Sequence, residues 1–510
     1  MSYDLNDLRK QIDAVDRDIL VGLEKRMAIS RQIGVCKREH GKEILDNSRE
    51  DDKLDSLKKT AGFESEQYIE DIYRAIFDVS KDHQNKPCFG LLGRTLGHSY
   101  SPQIHSLLTH DYSYTIIERE PDELEELFKS GVYGGFNVTI PYKKDAFALC
   151  DVTDPAATET GSVNTVVFGK DGKTYGYNTD YYGFMYMLKS AGIDVAGKAV
   201  LVLGTGGAAC AVNYGLKTLG AGSIKNCDLE TEINYNNVYD VCKDSQVIIN
   251  CTPVGMYPKV DACVIDLDRF DKLEAVGDVI YNPSRTKLLQ EAAKRGLKTC
   301  GGFTMLVAQA YKSSRFFAGD NEGAERMDAA AEEAIGRVVN RLESQMKNIT
   351  IIGMPGCGKS LLARRLAERT GRTLVDLDIA YTEKFGETPA DTITSRGEEQ
   401  FRLNETEVAK EYLVKSGMII SCGGGIVTQE RNYFYIKCNS NVIYLDRPLD
   451  MLTSKDRPLS AANGVQALFD QRKDKYELLA DIKVSLGRFD SKDIFFEEAL
   501  KIMNDGGLVV

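Results

Sequence analysis

Residues 348–371 read NITIIGMPGCGKSLLARRLAERTG, and this stretch decides the fold of the last third of the chain. Its first residues are β-branched and predict a buried strand, its glycines predict a turn, and Leu361, Leu362 and Leu366 mark the apolar face of a helix. Backbone N–H groups at the start of such a helix bind phosphate oxygens. The pattern therefore predicts an α/β domain with a parallel sheet that binds a nucleoside triphosphate.

The side chains of this loop have separate predicted roles. Lys359 reaches the terminal phosphates, Ser360 holds Mg²⁺, and Asp376, at the end of the next predicted strand, assists the metal. The residues expected to contact the nucleotide are Gly353, Gly356, Cys357, Gly358, Lys359 and Ser360.

A phosphate loop does not identify the phosphoryl acceptor, so the residues downstream matter. Asp378 is suited to an acceptor hydroxyl, and the segment GEEQFRLNE offers Arg402. Arg457 and Arg472 are cations suited to a transferring phosphoryl group and to a carboxylate. The glycines at 423–425 let the backbone approach a ligand. Any one of these arginines alone indicates no more than a solvated surface charge.

Together these motifs resemble shikimate kinase over about residues 348–485. The resemblance implies ATP as the phosphoryl donor, Arg457 on a lid over ATP, and a role for Asp378 in orienting or deprotonating the attacking hydroxyl. The segment from Leu449 to Pro458 is short for the family's lid. The shikimate-binding residues implied are Asp378, Arg402, Gly423, Gly424, Gly425 and Arg472.

The middle of the chain carries a second glycine-rich turn. Residues 198–221 read KAVLVLGTGGAACAVNYGLKTLGA, a buried strand, a turn and a helix, which predicts a Rossmann nucleotide-binding lobe. Alone this fingerprint is a weak signal. The cofactor-binding residues predicted are Gly204, Gly206, Gly207, Ala208, Ala209 and Asp228.

The motifs on either side are more specific. LGHSYSPQIHSLL (96–108), GGFNVTIPYKKDAF (134–147), GYNTDYYGF (176–184) and DVIYNPSRTKLL (278–289) resemble shikimate dehydrogenase across about residues 87–320. Reduction of a ketone requires a proton donor, and the pair Lys143 and Asp180 suits that role. The resemblance makes these two the catalytic pair. It implies that shikimate is bound by Ser99, Ser101, Thr139, Lys143, Asn164, Asp180, Tyr281 and Gln309.

Some of these residues have simpler interpretations. Ser99 and Ser101 also suit the cap of a following helix, a role compatible with ligand binding. His98 and His105 have no metal partners at suitable spacing and are expected to be packing or surface residues.

The cofactor of this middle domain is left open. The family default is NADP, whose 2′-phosphate meets an arginine, but the corresponding segment here reads IKNCDLETEINY (224–235). Asp228 suits an unphosphorylated ribose and repels a phosphate, and Lys225 is the only cation nearby. The segment before DSQVIINCTP is also shortened by about one helix. NAD is therefore an alternative cofactor.

The first 85 residues predict three helices. Apolar residues at steps of three and four define one long amphipathic helix, a second starts near Ser48, and a third runs from about Glu66 to Gln84. Three helices give a thin core, so pairing with a second copy is expected. On periodicity alone, this is an ordinary dimeric helical bundle. The apolar stripe of the first helix consists of Leu5, Leu8, Ile12, Val15, Ile19, Leu23 and Met27.

The polar residues of this region resemble, in order, the active site of the all-helical chorismate mutases. A pericyclic rearrangement of a dicarboxylate needs a cationic pocket and hydrogen bonds to the ether oxygen. By resemblance Arg26 binds one carboxylate and Arg9, from the partner chain, binds the other; Lys37 and Gln84 act on the ether oxygen. The chorismate-binding residues implied are Arg9, Arg26, Lys37, Asp46, Arg49, Glu50 and Gln84.

Composition disfavours nucleic-acid-binding, membrane-spanning and secreted proteins. The formal net charge of −12 disfavours a nucleic-acid partner, and no apolar run is long enough to span a membrane. The N-terminus lacks a secretory signal, and the 12 cysteines contain no C-x-x-C pair, so a cytoplasmic protein with reduced thiols is expected.

The sequence thus predicts a multidomain, trifunctional enzyme of aromatic amino-acid synthesis. The expected domains are an all-α mutase (1–85), a two-lobed α/β dehydrogenase (86–342) and an α/β phosphate-loop kinase (346–510). Within the dehydrogenase, the substrate lobe covers about 86–187 plus C-terminal helices and the Rossmann lobe about 188–305. An alternative is that one module, above all the dehydrogenase with its altered cofactor segment, is weak and serves as a scaffold or ligand sensor.

Overall fold

A computed structural model describes residues 4–44, 47–61, 66–97, 99–452, 464–489 and 491–508. These residues form two compact units. The first comprises Met1–Gly183 and Ala308–Ile335, and the second comprises Phe184–Val307 and Gly336–Val510.

The first unit begins with three helices, as predicted. They are α1 (Leu5–Glu39), α2 (Asn47–Thr60) and α3 (Glu66–Asn85). Their small core includes Leu54 and Phe77, both buried. The apolar stripe along the first two-thirds of α1 stays exposed, with Ile12 at 61% and Ile19 at 53%. Exposed apolar side chains on that scale are typical of a surface that a partner covers.

A six-stranded sheet follows in the same unit. Its order is β2-β1-β3-β5-β6-β4, and β1 is parallel to both β2 and β3, whereas β5 is antiparallel to β3 and β6. The strands are β1 (Cys88–Gly93), β2 (Ser113–Glu118), β3 (Gly135–Val138), β4 (Val152–Thr153), β5 (Thr165–Phe168) and β6 (Thr174–Tyr177). The helices are α4 (Ser101–Leu108), α5 (Leu124–Lys129), α6 (Lys143–Ala148), α7 (Pro155–Thr160) and α8 (Asp180–Ser190).

The second unit opens with the predicted Rossmann lobe. Its five strands are all parallel, in the order β11-β10-β9-β7-β8. They are β7 (Ala199–Leu203), β8 (Ser223–Cys227), β9 (Val247–Asn250), β10 (Ala275–Asp278) and β11 (Lys298–Gly301), with helices α9 (Gly207–Thr218), α10 (Val238–Val241) and α11 (Lys287–Lys294). Between β8 and β9 the described chain has only the single turn α10, which agrees with the shortening read from the sequence.

The chain then forms α12 (Gly302–Phe317), α13 (Asn321–Ala324) and α14 (Ala329–Met346). Residues 308–335 of this stretch belong to the first unit, beside the strands of the six-stranded sheet.

The last domain is a parallel five-stranded sheet in the order β13-β14-β12-β15-β16. The strands are β12 (Asn348–Ile352), β13 (Leu374–Asp376), β14 (Ile419–Ser421), β15 (Ser440–Asp446) and β16 (Ile482–Ser485). Around them lie α15 (Lys359–Thr370), α16 (Leu377–Phe385), α17 (Pro389–Arg396), α18 (Glu398–Tyr412), α19 (Tyr433–Cys438), α20 (Val465–Leu479) and α21 (Lys492–Asp505). The strand, turn and helix predicted from residues 348–371 are β12, the phosphate loop and α15.

No described helix is both long and apolar enough to cross a membrane.

Candidate active sites

The three N-terminal helices enclose a cavity of about 470 Å³. Five cationic side chains and two carboxylates line it, a formal charge of +3. Such a surplus of positive charge in a partly enclosed cavity suits an anionic ligand. The charged residues are Arg26, Lys37, Arg49, Lys53 and Lys81, with Glu50 and Asp52.

Helix α3 contributes Ser80, Lys81 and Gln84 to the polar contacts of this cavity. Arg26 donates to the hydroxyl of Ser80, and burial lowers the pKa of the Arg26 guanidinium. Lys81 Nζ lies 3.3 Å from Glu50 Oε2. The Gln84 amide donates to Ser30 Oγ at 3.0 Å, while its Oε1 is buried with no hydrogen-bond partner. A buried amide oxygen without a partner is unusual in a folded protein.

Most of the predicted residues of this site meet in one cavity. Arg26, Lys37, Arg49, Glu50 and Gln84 all line it. Arg9 is exposed and does not line it. It lies 17 residues before Arg26 on α1, about 25 Å along the helix, so it is too far to reach this cavity.

Asp46 lies outside the described residues. Sequence reasoning missed Lys53, Ser80 and Lys81, which share the cavity. Lys81 lies three residues before Gln84 on α3, and this helical spacing is the signal that points to it.

In the six-stranded lobe, Lys143 and Asp180 form a direct contact. Each is the first residue of its helix, α6 and α8, and Lys143 Nζ lies 2.5 Å from Asp180 Oδ2. A carboxylate in the first turn of α8 is favoured by the helix dipole. The side chains remain 24% and 14% exposed, so a ligand can reach the pair.

Asn164 extends this contact into a polar network. Its amide donates to Asp180 Oδ1 at 2.8 Å and lies 3.4 Å from Gln309 Oε1. The hydroxyl of Thr179 lies 3.3 Å from the same Gln309 oxygen. Lys143, Asp180, Asn164 and Gln309, four predicted residues, are thus brought together, whereas Thr179 was not predicted.

The two serines predicted for this lobe lie side by side. Ser99 Oγ accepts from the Ser101 backbone N–H at 3.2 Å, and the two hydroxyl oxygens are 3.2 Å apart. The N-cap residue of α4 is Tyr100, and its side chain makes no capping hydrogen bond. Neither Ser99 nor Ser101 is therefore the N-cap residue of this helix. Thr139 directly follows β3, and its N–H donates to Leu92 O at 3.0 Å.

The remaining predicted residues of this domain have separate positions. His105 is buried, stacks on Tyr114 with ring centroids 3.9 Å apart and contacts Tyr112, so its expected packing role is confirmed. His98 lies outside the described residues. Tyr281 is half-buried in the second unit, on the segment that follows β10.

The glycine-rich turn after β7 has the geometry of a dinucleotide site. Gly204 has φ +98°, a left-handed conformation that favours glycine. Nothing lies within 4 Å of a Cβ added at Gly206 or Gly207, so the start of α9 is open to a ligand. Ala209, in contrast, is buried in the sheet–helix packing, and Ala208 precedes it on α9.

Asp228 lies after β8 and is bonded to this turn. Its Oδ2 accepts from the backbone N–H of Thr205 at 2.9 Å and from the Thr205 hydroxyl at 2.6 Å. These bonds and one from the Leu229 N–H lower the pKa of the Asp228 carboxyl, which keeps it ionised. Lys225 points elsewhere, since its Nζ donates to Val241 O at 2.8 Å.

Three glycines of the phosphate loop in the last domain have positive φ angles. Gly353, Gly356 and Gly358 have φ values of +148°, +84° and +105°. Lys359 Nζ donates to the Gly353 and Met354 carbonyls, both at 3.0 Å. The Ser360 hydroxyl donates to Asp376 Oδ2 at 2.8 Å, which joins the two residues predicted to hold the metal. Cys357 is fully buried below the loop.

A cavity of about 420 Å³ adjoins this loop. It brings together Lys359, Ser360 and Asp376 with the predicted acceptor residues Asp378, Arg402, Gly423, Gly424, Gly425 and Arg472. Arg472 donates to Gly424 O at 3.2 Å, and its Nε is buried with no hydrogen-bond partner. Arg457 lies outside the described residues.

Glu405 is a member of this cavity that sequence reasoning missed. Burial raises the pKa of the Glu405 carboxyl to about 7, although Arg402 Nη1 lies 2.8 Å away and opposes the shift. The i, i+3 spacing of the two residues on α18 is a signal for their contact.

The three consecutive glycines have a packing reason. A Cβ at Gly425 would lie 2.6 Å from Arg402 Cζ, and one at Gly424 would lie 2.7 Å from Pro355 Cδ. A Cβ at Gly423 would lie 3.0 Å from an oxygen of Asp378. The glycines therefore let these side chains lie against the backbone at the cavity wall.

Among the described residues, no group of three or more His, Cys, Asp or Glu side chains is arranged to hold a metal ion. A metal carried by a nucleotide phosphate needs only the Ser360 and Asp376 pair from the protein.

Known protein families match the chain in the same three regions. Residues 8–85 match the family described as chorismate mutase type II, residues 91–166 match the shikimate dehydrogenase substrate binding domain, and residues 355–503 match shikimate kinase.

Relatives of the middle region are close enough to establish its family. A shikimate dehydrogenase (NADP(+)) of Clostridium beijerinckii is 37% identical over 246 residues, 45% of this chain and 91% of the relative. One of Methanosarcina mazei is 35% identical over 277 residues, 49% of this chain and 99% of the relative.

A crystal structure of a chorismate mutase/shikimate 5-dehydrogenase fusion protein from Clostridium acetobutylicum is 34% identical, covers 51% of this chain and 97% of that chain, and has a TM-score of 0.46. By the identity and coverage of the Clostridium beijerinckii and Methanosarcina mazei relatives, the chain belongs to the shikimate dehydrogenase family through its middle region, and the family matches add a chorismate mutase type II domain before it and a shikimate kinase domain after it.

Proposed function

We propose that this chain rearranges chorismate to prephenate, reduces 3-dehydroshikimate to shikimate, and phosphorylates shikimate at its 3-hydroxyl. We assign the first reaction to residues 1–85, the second to 86–342 and the third to 346–510. The observation that carries the proposal is that several members of each of three sets of predicted residues lie together, with the Lys143–Asp180 contact as the clearest case.

In the mutase, catalysis comes from binding the transition state more tightly than the substrate. Arg26 binds one carboxylate of chorismate, and the Lys37 ammonium and the Gln84 amide donate to the ether oxygen as negative charge develops there. Glu50 and Asp46 contact the hydroxyl region, and Arg49 adds to the positive potential of the pocket. The formal charge of +3 on the cavity lining supports this assignment.

The second carboxylate of chorismate needs Arg9 of another copy. The distance along α1 from Arg9 to Arg26 separates Arg9 from its own cavity, so a partner must supply it. The exposed apolar stripe of α1 gives the pairing surface. We therefore propose a homodimer formed through α1, without which each mutase site is incomplete.

In the dehydrogenase, Lys143 is the acid of the reduction. Its ammonium gives a proton to the substrate oxygen as the carbonyl becomes an alcohol, and Asp180 holds the ammonium in position through their 2.5 Å contact. Asn164 and Gln309 bind ring hydroxyls, while Ser99, Ser101 and Thr139 donate to the substrate carboxylate. By resemblance, Tyr281 is also assigned to substrate binding. The nicotinamide cofactor supplies the hydride when bound.

The turn after β7 fits a dinucleotide, because the start of α9 is open above Gly206 and Gly207. We propose NADP, the cofactor in the name of the Clostridium beijerinckii relative. Asp228 supports NAD as a second candidate, since an ionised carboxylate beside the turn repels a 2′-phosphate. Three hydrogen bonds from Thr205 and Leu229 already occupy that carboxylate, so Asp228 also has a structural role in the turn.

In the kinase, the loop 353–360 holds the phosphates of ATP and Lys359 neutralises charge on the group in transfer. We assign Ser360 and Asp376 to Mg²⁺, and their 2.8 Å contact supports this assignment. Asp378 orients or deprotonates the attacking 3-hydroxyl. Arg402 and Arg472 bind the shikimate carboxylate, and their shared place in the lining of one cavity supports this assignment. Arg457 is assigned to the lid over ATP.

The 12 cysteines are all unpaired thiols, which supports a reducing compartment and hence the cytoplasm.

The test is to assay the full-length protein for each reaction. Loss of chorismate, shikimate-dependent reduction of NADP⁺, and shikimate-dependent release of ADP are the three expected signals. Single variants Arg26→Ala, Lys143→Ala and Asp378→Ala should each abolish only one of them. A variant that removes two signals, or a wild type that lacks one, refutes the corresponding assignment.

A further inference from the structure

The Rossmann lobe and the kinase domain share a contact surface inside the second unit. We call it the docking surface. It consists of residues 260–261 and 284–290 of the lobe with residues 433–440 and Asp481 of the kinase.

Backbone groups form its centre. The carbonyls at the end of a helix have no partner within the helix. Cys438 O, at the end of α19, accepts from the Arg285 N–H at 2.9 Å and from Ser284 Oγ at 3.3 Å. Asn439 Oδ1 accepts from the Ser284 N–H at 3.3 Å. A loop of the dehydrogenase therefore caps a helix of the kinase.

The Arg285 side chain adds a two-pronged ion pair. Its Nη1 and Nη2 each lie 3.1 Å from one carboxylate oxygen of Asp481, and it also donates to Ser440 O. Lys437 Nζ contacts the same carboxylate at 2.8 Å. Burial opposes the ionised form of Asp481, but the two cations outweigh it and lower the pKa of this carboxyl to about 2. Such two-pronged pairs fix geometry as well as charge.

Apolar and polar contacts continue the docking surface on both sides. Val260 is 3% exposed and packs in a buried cluster otherwise formed by kinase residues. Tyr435 OH lies 3.2 Å from Asp261 Oδ2, and Gln290 Nε2 donates to Phe434 O at 3.2 Å.

The docked loop also borders the predicted cofactor site. Residues 279–286 follow β10 at the carboxyl edge of the Rossmann sheet, the edge where dinucleotides bind. The glycine turn follows β7 and Asp228 follows β8, and β9 and β10 lie on the other side of β7. A dinucleotide held at the glycine turn with its adenosine near Asp228 would therefore direct its nicotinamide half toward loop 279–286.

The Rossmann lobe bonds this loop at several points, including Ile280 O, which accepts from the Gly302 N–H at 3.0 Å, and Arg285 O, which accepts from Gln290 Nε2 at 3.2 Å. Asp278 accepts from the Ile280 N–H at 3.0 Å and from the Thr286 hydroxyl at 2.7 Å, and Asn282 O accepts from the Tyr257 N–H. Between these anchors, the N–H groups of Ser284 and Arg285 donate to the kinase.

We propose that the docked kinase domain braces loop 279–286 and thereby strengthens binding of the nicotinamide half of the dehydrogenase cofactor. This inference rests on the proposed dehydrogenase function. It makes Arg285 and Asp481 positioning residues, one in each domain.

The test is Asp481→Asn in the full-length chain, a kinase substitution that keeps an oxygen to accept from the Val442 N–H. We expect NADP⁺ to bind about threefold to tenfold more weakly, since a charge-assisted pair is lost. Adenosine 2′,5′-bisphosphate, which lacks the nicotinamide half, should bind within about twofold of wild type. Hydrogen exchange of the Ser284 and Arg285 amides should speed up by a similar factor. Arg285→Lys, which keeps one charge, should restore part of the NADP⁺ affinity relative to Arg285→Ala.

Arg295→Ala is the matched control. Arg295 lies just after α11, its side chain is 32% exposed against 30% for Arg285, and it pairs with Asp268 of its own lobe. Unchanged NADP⁺ affinity in Asp481→Asn, or equal weakening of both probes, overturns the proposal. If the wild type binds no nicotinamide nucleotide, the dehydrogenase assignment fails instead, and unchanged exchange at residues 284–285 in Asp481→Asn overturns the brace independently.

Discussion

Replacing Gly425 by alanine tests whether the glycine run of the kinase exists to seat Arg402. The backbone at Gly425 has φ −100° and ψ −3°, which alanine adopts without strain. The added Cβ would lie 2.6 Å from Arg402 Cζ, whereas carbon atoms in contact are about 3.5–4.0 Å apart. The guanidinium must therefore move by about 1 Å.

That movement has a calculable cost. Arg402 holds Glu405 at 2.8 Å and Glu398 at 2.9 Å, and a shift of about 1 Å takes either distance beyond hydrogen-bonding range. The same shift moves the guanidinium out of hydrogen-bonding range of the shikimate carboxylate that we assign to it. Loss of one hydrogen bond to a charged group, about 1.5–3 kcal/mol, corresponds to a rise of about 10- to 150-fold in KM for shikimate. Because the ATP loop does not contain Gly425, KM for ATP should change less than about threefold.

The assay is steady-state kinase activity of the full-length chain with each substrate varied in turn. Gly336→Ala is the control, since Gly336 lies in α14 and a Cβ there meets nothing within 4 Å. An unchanged KM for shikimate in Gly425→Ala would refute the reasoning, because it would mean that the position of Arg402 does not govern shikimate binding.

Four further predictions follow from the other sites. Lys143→Ala should lower kcat of shikimate oxidation by about 100-fold or more while mutase and kinase rates stay unchanged, as measured by parallel assays. Asp228→Asn should raise the ratio of NADP to NAD efficiency by about tenfold, because it removes a charge beside the 2′-position; an unchanged ratio would show that the Asp228 charge does not reach the ribose. Burial raises the pKa of Asp278 from 3.8 to about 7, so between these pH values the folded state binds a proton that the unfolded state has released. The stability of the wild type should therefore fall as pH rises toward 7. Thermal unfolding from pH 5 to 8 should show this loss in wild type and not in Asp278→Asn. Ile12→Lys with Ile19→Lys should give monomers by light scattering and abolish mutase activity alone, whereas an active monomer would exclude the assignment of Arg9 to the partner.

Local patterns allowed much of the fold to be predicted. The three N-terminal helices follow from apolar spacing, and the phosphate loop follows from a strand, a glycine turn and a helix that are contiguous in sequence. Residues such as Lys143 and Asp180, 37 positions apart, were paired through the family resemblance, because no local pattern joins them.

What the sequence did not reveal depends on tertiary packing. Glu405 and Lys81 carry charges that are usual on helix surfaces, and only burial against other elements makes them members of a site. The bonds from Thr205 to Asp228 likewise required the turn and the strand end to be placed together. The docking surface joins residues about 150 positions apart, such as Ser284 and Asn439, and has no sequence signature.

The account of one chain with three working enzymes is tested by a single NMR time course. Full-length protein is mixed with chorismate, 3-dehydroshikimate, NADPH, NADH, ATP and Mg²⁺, and all substrates and products are followed together. The account predicts that prephenate and shikimate 3-phosphate both form, with shikimate as a transient. Persistence of chorismate, of 3-dehydroshikimate or of shikimate would contradict it, and would identify the mutase, the dehydrogenase or the kinase, respectively, as the inactive domain.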